Sequence, residues 1–372
     1  MKITRLQVIH VLPRWSFLKI HTDEGLTGLG EAIVEGRSRT VEMAVKELEP
    51  VLVGEDPLRI EHLWQLMYRG TFYRGGPILT SAISGIEQAL WDILGKRLGV
   101  PVSQLLGGMV RDRIRVYGHI GGDNVEKLYE QAEQARNAGY TIVKTAIDDK
   151  ARFMEPPQWV SHQVERMEVV RSALGDEIDL AIDFHGRVSP SLAIRLAKEL
   201  ERFHPVFIEE PCLPENVDAL VQISQSTSIP IASGERLFTR WGFRELLEKR
   251  AVAVIQPDLA HCGGIYEAKK IAAMAETYFV AMAPHNPLGP INLAASLNLA
   301  ATIPNFLAQE QVTVGEGYLK VPFKIKQGYI DVPQEPGLGI ELNEVEVAKH
   351  EYDGTWDTPR WFHDDDGSVA DW

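Results

Sequence analysis

The sequence predicts an α/β fold: a (β/α)8 barrel of the TIM type, preceded by an α+β capping domain that the C-terminal segment completes. Three observations predict it. Short apolar runs alternate with amphipathic helical stretches between residues 114 and 311. Eight such runs occur, most of them starting 23 to 27 residues apart, which is the spacing of a strand–helix repeat. The residues before 113 lack this rhythm and read as three alternating strands followed by helices.

The elements follow in order. Residues 3–10, 16–22 and 26–33 alternate apolar and polar side chains, with turn signals at Pro13 and at Asp23 to Gly25. Helical patterns cover about 39–53, 58–69 and 78–98. In the last of these, Ile83, Ile86, Leu90, Ile93 and Leu94 share a face. The barrel runs are 114–120, 141–147, 179–185, 205–211, 229–235, 252–258, 278–284 and 305–311. Between them lie amphipathic helices, such as the one that aligns Leu192, Leu196, Leu200 and Phe203. A doubly wound sheet is the main rival, but it would more often carry a GxGxxG fingerprint after its first strand, and none is present. The expected units are 1–112 for the capping domain, 113–324 for the barrel and 325–372 for a segment returning to the cap.

Composition narrows the function. The net charge is -14 and there is no long Lys/Arg run, which argues against nucleic acid or an anionic membrane as partner. No apolar stretch is long enough to span a bilayer. The opening MKITRLQVIHVL alternates like a strand and has no signal-peptide cleavage site. Only two cysteines occur, Cys212 and Cys262, too few for a disulfide framework, so a cytoplasmic location is expected.

Barrel enzymes carry their chemistry at the C-terminal ends of the strands. Six successive runs here end in an acid or a histidine: Asp183 with His185, Glu209 with Glu210, Glu235, Asp258, His285 and Glu310. Asp183, Glu209 and Glu235 are each 26 residues apart, in step with the repeat, so they should surround one mouth. Carboxylates gathered in one cavity repel each other unless protons or a cation intervene. An all-oxygen set suits Mg²⁺; each acid taken singly could instead cap the helix that follows it. Asp258 beside His285 would fix the tautomer of the imidazole and raise its basicity, as a general base requires. His185 lies on the other side of the acids. Glu310, if protonated, could donate a hydrogen bond to a developing oxyanion.

These residues resemble the enolase superfamily. The helix AISGIEQALWDILGKRLGVPVSQLLGG (Ala82 to Gly108) and the motifs DFHGR, FIEEP, SGER, QPDLAHCGG and APHNPLGP are similar to its mandelate racemase subgroup. With FYRGGPI, PGLGIE and DGSVADW, the likeness covers nearly the whole chain and is nearest to the D-galactonate dehydratases. The resemblance implies Mg²⁺ on Asp183, Glu209 and Glu235, and abstraction of the proton beside a sugar-acid carboxylate by His285 with Asp258. It further implies an enediolate stabilised by the metal and Glu310, protonation of the departing 3-hydroxyl by His185, and a 2-keto-3-deoxy product. Lys144 resembles the first lysine of a K-x-K pattern and would bind the substrate carboxylate. The second position is Ala146, which removes a second base and argues against a racemase. Arg14, with Trp15, would belong to a lid over the mouth. A homo-oligomer is expected from the family. Two other readings stay open: dehydration of a different aldonate such as gluconate, and a catalytically weak relative that only binds metal and ligand.

Overall fold

The computed structural model describes every residue except Asp123 and Asp149. Strands β1 (Ile3–Val11), β2 (Trp15–Thr22) and β3 (Thr27–Glu31) form an antiparallel meander in that order. Helices α1 (Ser38–Leu52), α2 (Ile60–Arg69) and α3 (Gly76–Leu98) follow, each within a few residues of its predicted bounds.

β3 is the edge of its sheet, and α3 supplies the partners its backbone lacks. The N–H of Leu29 donates to Asp92 Oδ2 at 2.8 Å, and that of Glu31 to Gln88 Oε1 at 2.9 Å. Asp92 and Gln88 stand one helical turn apart, so a single helix face serves alternate strand residues. Such an approach needs glycine: a methyl on Gly30 would lie 1.9 Å from the carbonyl oxygen of Gly85. Backbone cannot yield as a side chain can, so Gly30→Ala should lower stability by about 1–3 kcal/mol. Thermal unfolding measures this, and an unchanged Tm would show that helix and strand separate freely.

After α4 (Val102–Leu105) and β4 (Arg113–Arg115), strand and helix alternate. The order is β5 (Gly118–His119), α5 (Val125–Asn137), β6 (Ile142–Ala146), α6 (Pro157–Leu174), β7 (Asp179–Asp183), α7 (Pro190–Leu200), β8 (Phe207–Glu209) and α8 (Val217–Ser224). It continues with β9 (Ile231–Ser233), α9 (Thr239–Glu248), β10 (Val254–Ile255), α10 (Ile265–Thr277), β11 (Ala281–Met282) and α11 (Pro290–Ala300). β5 to β11 lie side by side in sequence order, all parallel. The eighth predicted run closes the ring by single bridges: Phe306 pairs with Met282 and Gln309 with Val116.

One residue from each of the eight runs fills the ring. Tyr117, Ile142, Ala181, Phe207, Ala232, Val254, Ala283 and Ala308 form a buried cluster of their own. Their neighbours, such as Val143, Leu180, Ile182 and Ile208, belong to the larger core shared with the helices. The period of two therefore sends alternate side chains inward and outward.

The predicted first run, 114–120, divides. β4 leaves the barrel and pairs antiparallel with β13 (Tyr329–Asp331), which itself pairs with β12 (Ile325–Lys326). The gain is apolar burial: Ile330 packs with Ile114, Val116, Leu293 and Leu297. Further on, through α12 (Glu344–Lys349), the chain lies along the first unit. There Leu338 N donates to Asp92 Oδ1 and Leu12 N to the His350 carbonyl, both at 2.9 Å. Among the described residues no helix is long and apolar enough to cross a membrane.

Candidate active site

The interior alternation places the site. Two residues beyond each interior residue lies the next inward position, now at the mouth of the barrel. Tyr117 leads to His119, Ile142 to Lys144, Ala181 to Asp183 and Phe207 to Glu209; Ala283 leads to His285 and Ala308 to Glu310. Glu235 reaches the rim differently, through Gly234 at φ 142, a conformation open to glycine. A cavity of about 570 Å³ opens there, lined by all of these except Glu209, which is fully buried beneath it. That volume suits a small organic ligand. The first unit supplies part of the wall through Arg14, Glu35 and Pro77.

His285 Nδ1 lies 2.9 Å from Asp258 Oδ2. Asp258 also accepts the Ala260 N–H at 2.7 Å and Asn292 Nδ2 at 3.0 Å. Burial opposes its charge, but His261, His285 and the Ala260 N–H outweigh it and hold the carboxyl below its ordinary range. An ionised Asp258 accepts a hydrogen bond from the Nδ1–H, which leaves His285 Nε2 facing the cavity, 3.7 Å from Glu235 and 3.8 Å from Glu310. Burial lowers the His285 pKa, yet Glu235, Glu310 and Asp258 together push it well above the usual histidine value.

On the far side, His185 sits at φ 50. Its backbone N–H donates to Asp183 Oδ1 at 2.9 Å, and its Nε2 stands 3.2 Å from Asp183 Oδ2. Asp183 favours the charged imidazole, but burial, Arg187 and Lys144 prevail and push its pKa down. His285 therefore holds its proton more tightly than His185.

Lys144 occupies the middle of the acids. Its Nζ lies 3.0 Å from both oxygens of Glu209, 2.7 Å from Glu310 and 3.4 Å from Asp183. Burial works against the ammonium, but the acids raise its pKa well above the ordinary value. The carboxylates still repel one another. Burial and Asp183 push Glu209 far up, and burial with Glu210 pushes Glu235 to about 7. Glu235 Oε2 is buried and accepts no hydrogen bond.

The chemistry of this donor set fits a hard cation. Asp183 and Glu209 are register partners on β7 and β8, and Glu235 follows β9 next in the sheet. All three are carboxylate oxygen donors, Asp183 and Glu209 buried and Glu235 partly so, which is the kind of set Mg²⁺ needs. Among the described residues no three acidic, histidine or cysteine groups already form a closed cage, and the Lys144 ammonium lies against Asp183 and Glu209.

Glu310 differs from expectation. The reading as hydrogen-bond donor needs a protonated carboxyl. Burial favours one, but Lys144, His285 and His119 hold Glu310 far below the ordinary range, and it accepts the Asn286 N–H at 3.0 Å.

The comparisons place this arrangement in a family. Residues 11–107 match the mandelate racemase/muconate lactonizing enzyme N-terminal domain, and residues 127–346 match the enolase C-terminal domain-like family. The chain belongs to the enolase superfamily. Curated relatives named D-galactonate dehydratase, from Ralstonia pickettii and Cronobacter sakazakii, are 48% and 47% identical over the full length of both chains. A solved enolase-superfamily member from Salmonella Typhimurium is 32% identical with a TM-score of 0.89, covering 94% of this chain and 98% of its own. A mandelate racemase/muconate lactonizing enzyme from Jannaschia sp. CCS1 is 33% identical with a TM-score of 0.90, covering 95% and 98%.

In this enolase-superfamily chain all nine residues singled out from the sequence converge. Eight line the cavity or lie just beneath it, and Asp258 supports His285 from behind. Arg14 lines the wall in a 2.7 Å ion pair with Glu35 and donates to the Pro287 carbonyl. Ala146 lines it too, two residues past Lys144. Several lining residues escaped the sequence reading. His119 follows the same strand-end rule, and its Nε2 lies 3.4 Å from Glu310. His261 accepts or donates at 2.9 Å with Ser81 and shares Asp258 with His285. Arg187 and Arg236 sit inside the DFHGR and SGER motifs, and Arg236 clasps Glu210 with two donors. Nothing local marked Trp361 and Trp372. Both cysteines are buried, and burial pushes Cys212 up to about 11. A thiol held protonated in this way packs and does not attack.

Proposed function

We propose that this chain is a Mg²⁺-dependent dehydratase of a sugar acid, with D-galactonate the first substrate to test. The single observation that carries the chemistry is the His285–Asp258 pair facing the same cavity as His185, with buried carboxylates between them. Binding alone needs no such acid–base geometry. The curated relatives' shared name supports the substrate class.

In this reading Asp183, Glu209 and Glu235 hold the ion. The bound cation supplies positive charge against the substrate carboxylate and weakens the negative field that keeps the His285 imidazole protonated. Lys144 turns its ammonium to the substrate carboxylate. His285 Nε2 takes the C2 proton while Asp258 holds the ring. The substrate's own negative charge raises the affinity of nearby groups for protons. It thus opposes the effects that now keep His185 neutral and Glu310 ionised. His185 can then deliver a proton to the departing 3-hydroxyl, and Glu310 can hydrogen-bond the charge that builds on the carboxylate. The enol left behind becomes a 2-keto-3-deoxy aldonate. Ala146 offers no second base, so the proton is taken from one face only.

A panel of aldonates assayed with Mg²⁺ for 2-keto-3-deoxy product tests this. Turnover of D-galactonate is the expected result. Turnover of gluconate alone would keep the mechanism and move the substrate; ligand binding with no turnover of any acid would refute it. The roles of the two histidines separate in His185→Asn, which should retain C2 proton exchange while dehydration falls by about 10²–10⁴-fold. Normal dehydration by that variant would assign the acid elsewhere.

A further inference from the structure

The cavity has two unlike sides. Its floor carries Lys144, Asp183, Glu235, His285, His185 and Glu310, all charged or proton-bearing. Part of its outer wall comes from the far end of the chain, as the indoles of Trp361 and Trp372. The last residues fold into a small hairpin: Phe362 bridges Val369, His363 N donates to Ser368 O and Ala370 N to Trp361 O, both at 2.9 Å. Three neighbours hold that hairpin over the mouth. Lys150 and Arg152, in the loop after β6, pair with Asp364, Asp365 and Asp366. The Arg187 guanidinium lies 5.0 Å over the Trp361 ring. Trp372 packs 6.2 Å from Trp356, which in turn lies under Arg14 of the β1–β2 turn at 4.8 Å. The acidic run at 364–366 thus serves as an anchor and is not simply a solvated tail.

A sugar acid bound by its carboxylate and C2–C3 carbons at the floor must point its remaining hydroxylated carbons toward this wall. Trp372 is 44% exposed although its side chain lines the cavity, and an aromatic ring there suits the C–H side of a carbohydrate chain. We infer that Trp361 and Trp372 are specificity-determining residues that contact the hydroxylated end of the substrate and select for its length and stereochemistry. The inference rests on the sugar-acid reading above. The Asp364–Asp366 anchor keeps the wall in place through ion pairs that are exposed, individually weak and screened by salt.

The test compares Trp361→Ala, Trp372→Ala and Arg152→Glu with the wild type. It uses five- and six-carbon aldonates, with dehydration kinetics and calorimetric binding of each acid. Each tryptophan variant should raise KM for the preferred acid about tenfold and narrow its preference over the others, with kcat changed far less. Trp361→Phe, which keeps an aromatic face, should recover much of the loss. Arg152→Glu leaves both indoles in the chain but repels the anchor, so it should shift KM the same way even if an alanine variant folds poorly. Unchanged KM and unchanged preference in these variants would overturn the inference while leaving the dehydratase reading intact. A wild type that binds aldonates without turnover would overturn the dehydratase reading, and weaker binding by the variants would still sustain the wall. A wild type that neither binds nor turns over any aldonate would remove both.

Discussion

His285→Asn will abolish exchange of the C2 proton of the sugar acid with solvent, and dehydration with it. Asparagine can still donate a hydrogen bond to Asp258, so the 2.9 Å contact has a replacement donor and the buried carboxylate is not stranded. What disappears is the nitrogen that faces the cavity between Glu235 and Glu310. A positioned base contributes about 10²–10⁴-fold, and no second base stands at position 146 to take over. The measurement is deuterium uptake at C2 in heavy water, followed by NMR, with ligand binding checked by calorimetry. Exchange at the wild-type rate would mean that another group, His119 or His261 being nearest at hand, is the base.

Removal of divalent cation with EDTA will stop turnover, and Glu209→Gln will not regain it at Mg²⁺ concentrations that restore the wild type. Glu209 lies at the centre of the proposed ligand set, fully buried, with Asp183 as its register partner. Glutamine keeps the shape and removes the charge. In the wild type, Lys144 holds both Glu209 oxygens and a bound ion would compete for them; in the variant the lysine has fewer acids to satisfy and the ion would lose a charged ligand. Calorimetric titration with Mg²⁺ reads the loss without any turnover. Full activity of demetallated wild type, or undiminished Mg²⁺ affinity in Glu209→Gln, would remove the metal from the mechanism.

Much of this site was legible because barrel chemistry follows strand parity. Each run that ends in an acid or histidine delivers it to one rim, and the 26-residue spacing of Asp183, Glu209 and Glu235 already placed them side by side. The same rule, applied to the first run, points to His119. It was hidden because that run looks like one strand of seven residues, whereas the chain breaks it at Val116 and gives β4 to the C-terminal hairpin. Register and pairing partner are non-local, so apolar alternation alone cannot reveal that break.

Charge states were less legible. Glu310 reads as a free acid in sequence, yet Lys144 at 2.7 Å helps hold it ionised. A pKa depends on which charges share a few ångströms, and those come from β5, β6 and β11 as much as from its own run. The tail gives the plainest contrast. DDDGSVADW has the composition of a solvated end, and only folding brings Asp364 to Lys150 and Trp361 to Arg187, more than two hundred and one hundred seventy positions away in the chain.

The sequence by itself determined the layered repeat, the parity that turns acids and histidines inward, and the family to which those motifs belong. Periodicity and strand-end chemistry are local and survive in the order of residues. Only the tertiary structure decided which charges meet, where the ring closes and what covers its mouth. Those depend on contacts between segments far apart in the chain, where burial and Coulomb forces act through space and leave no local mark.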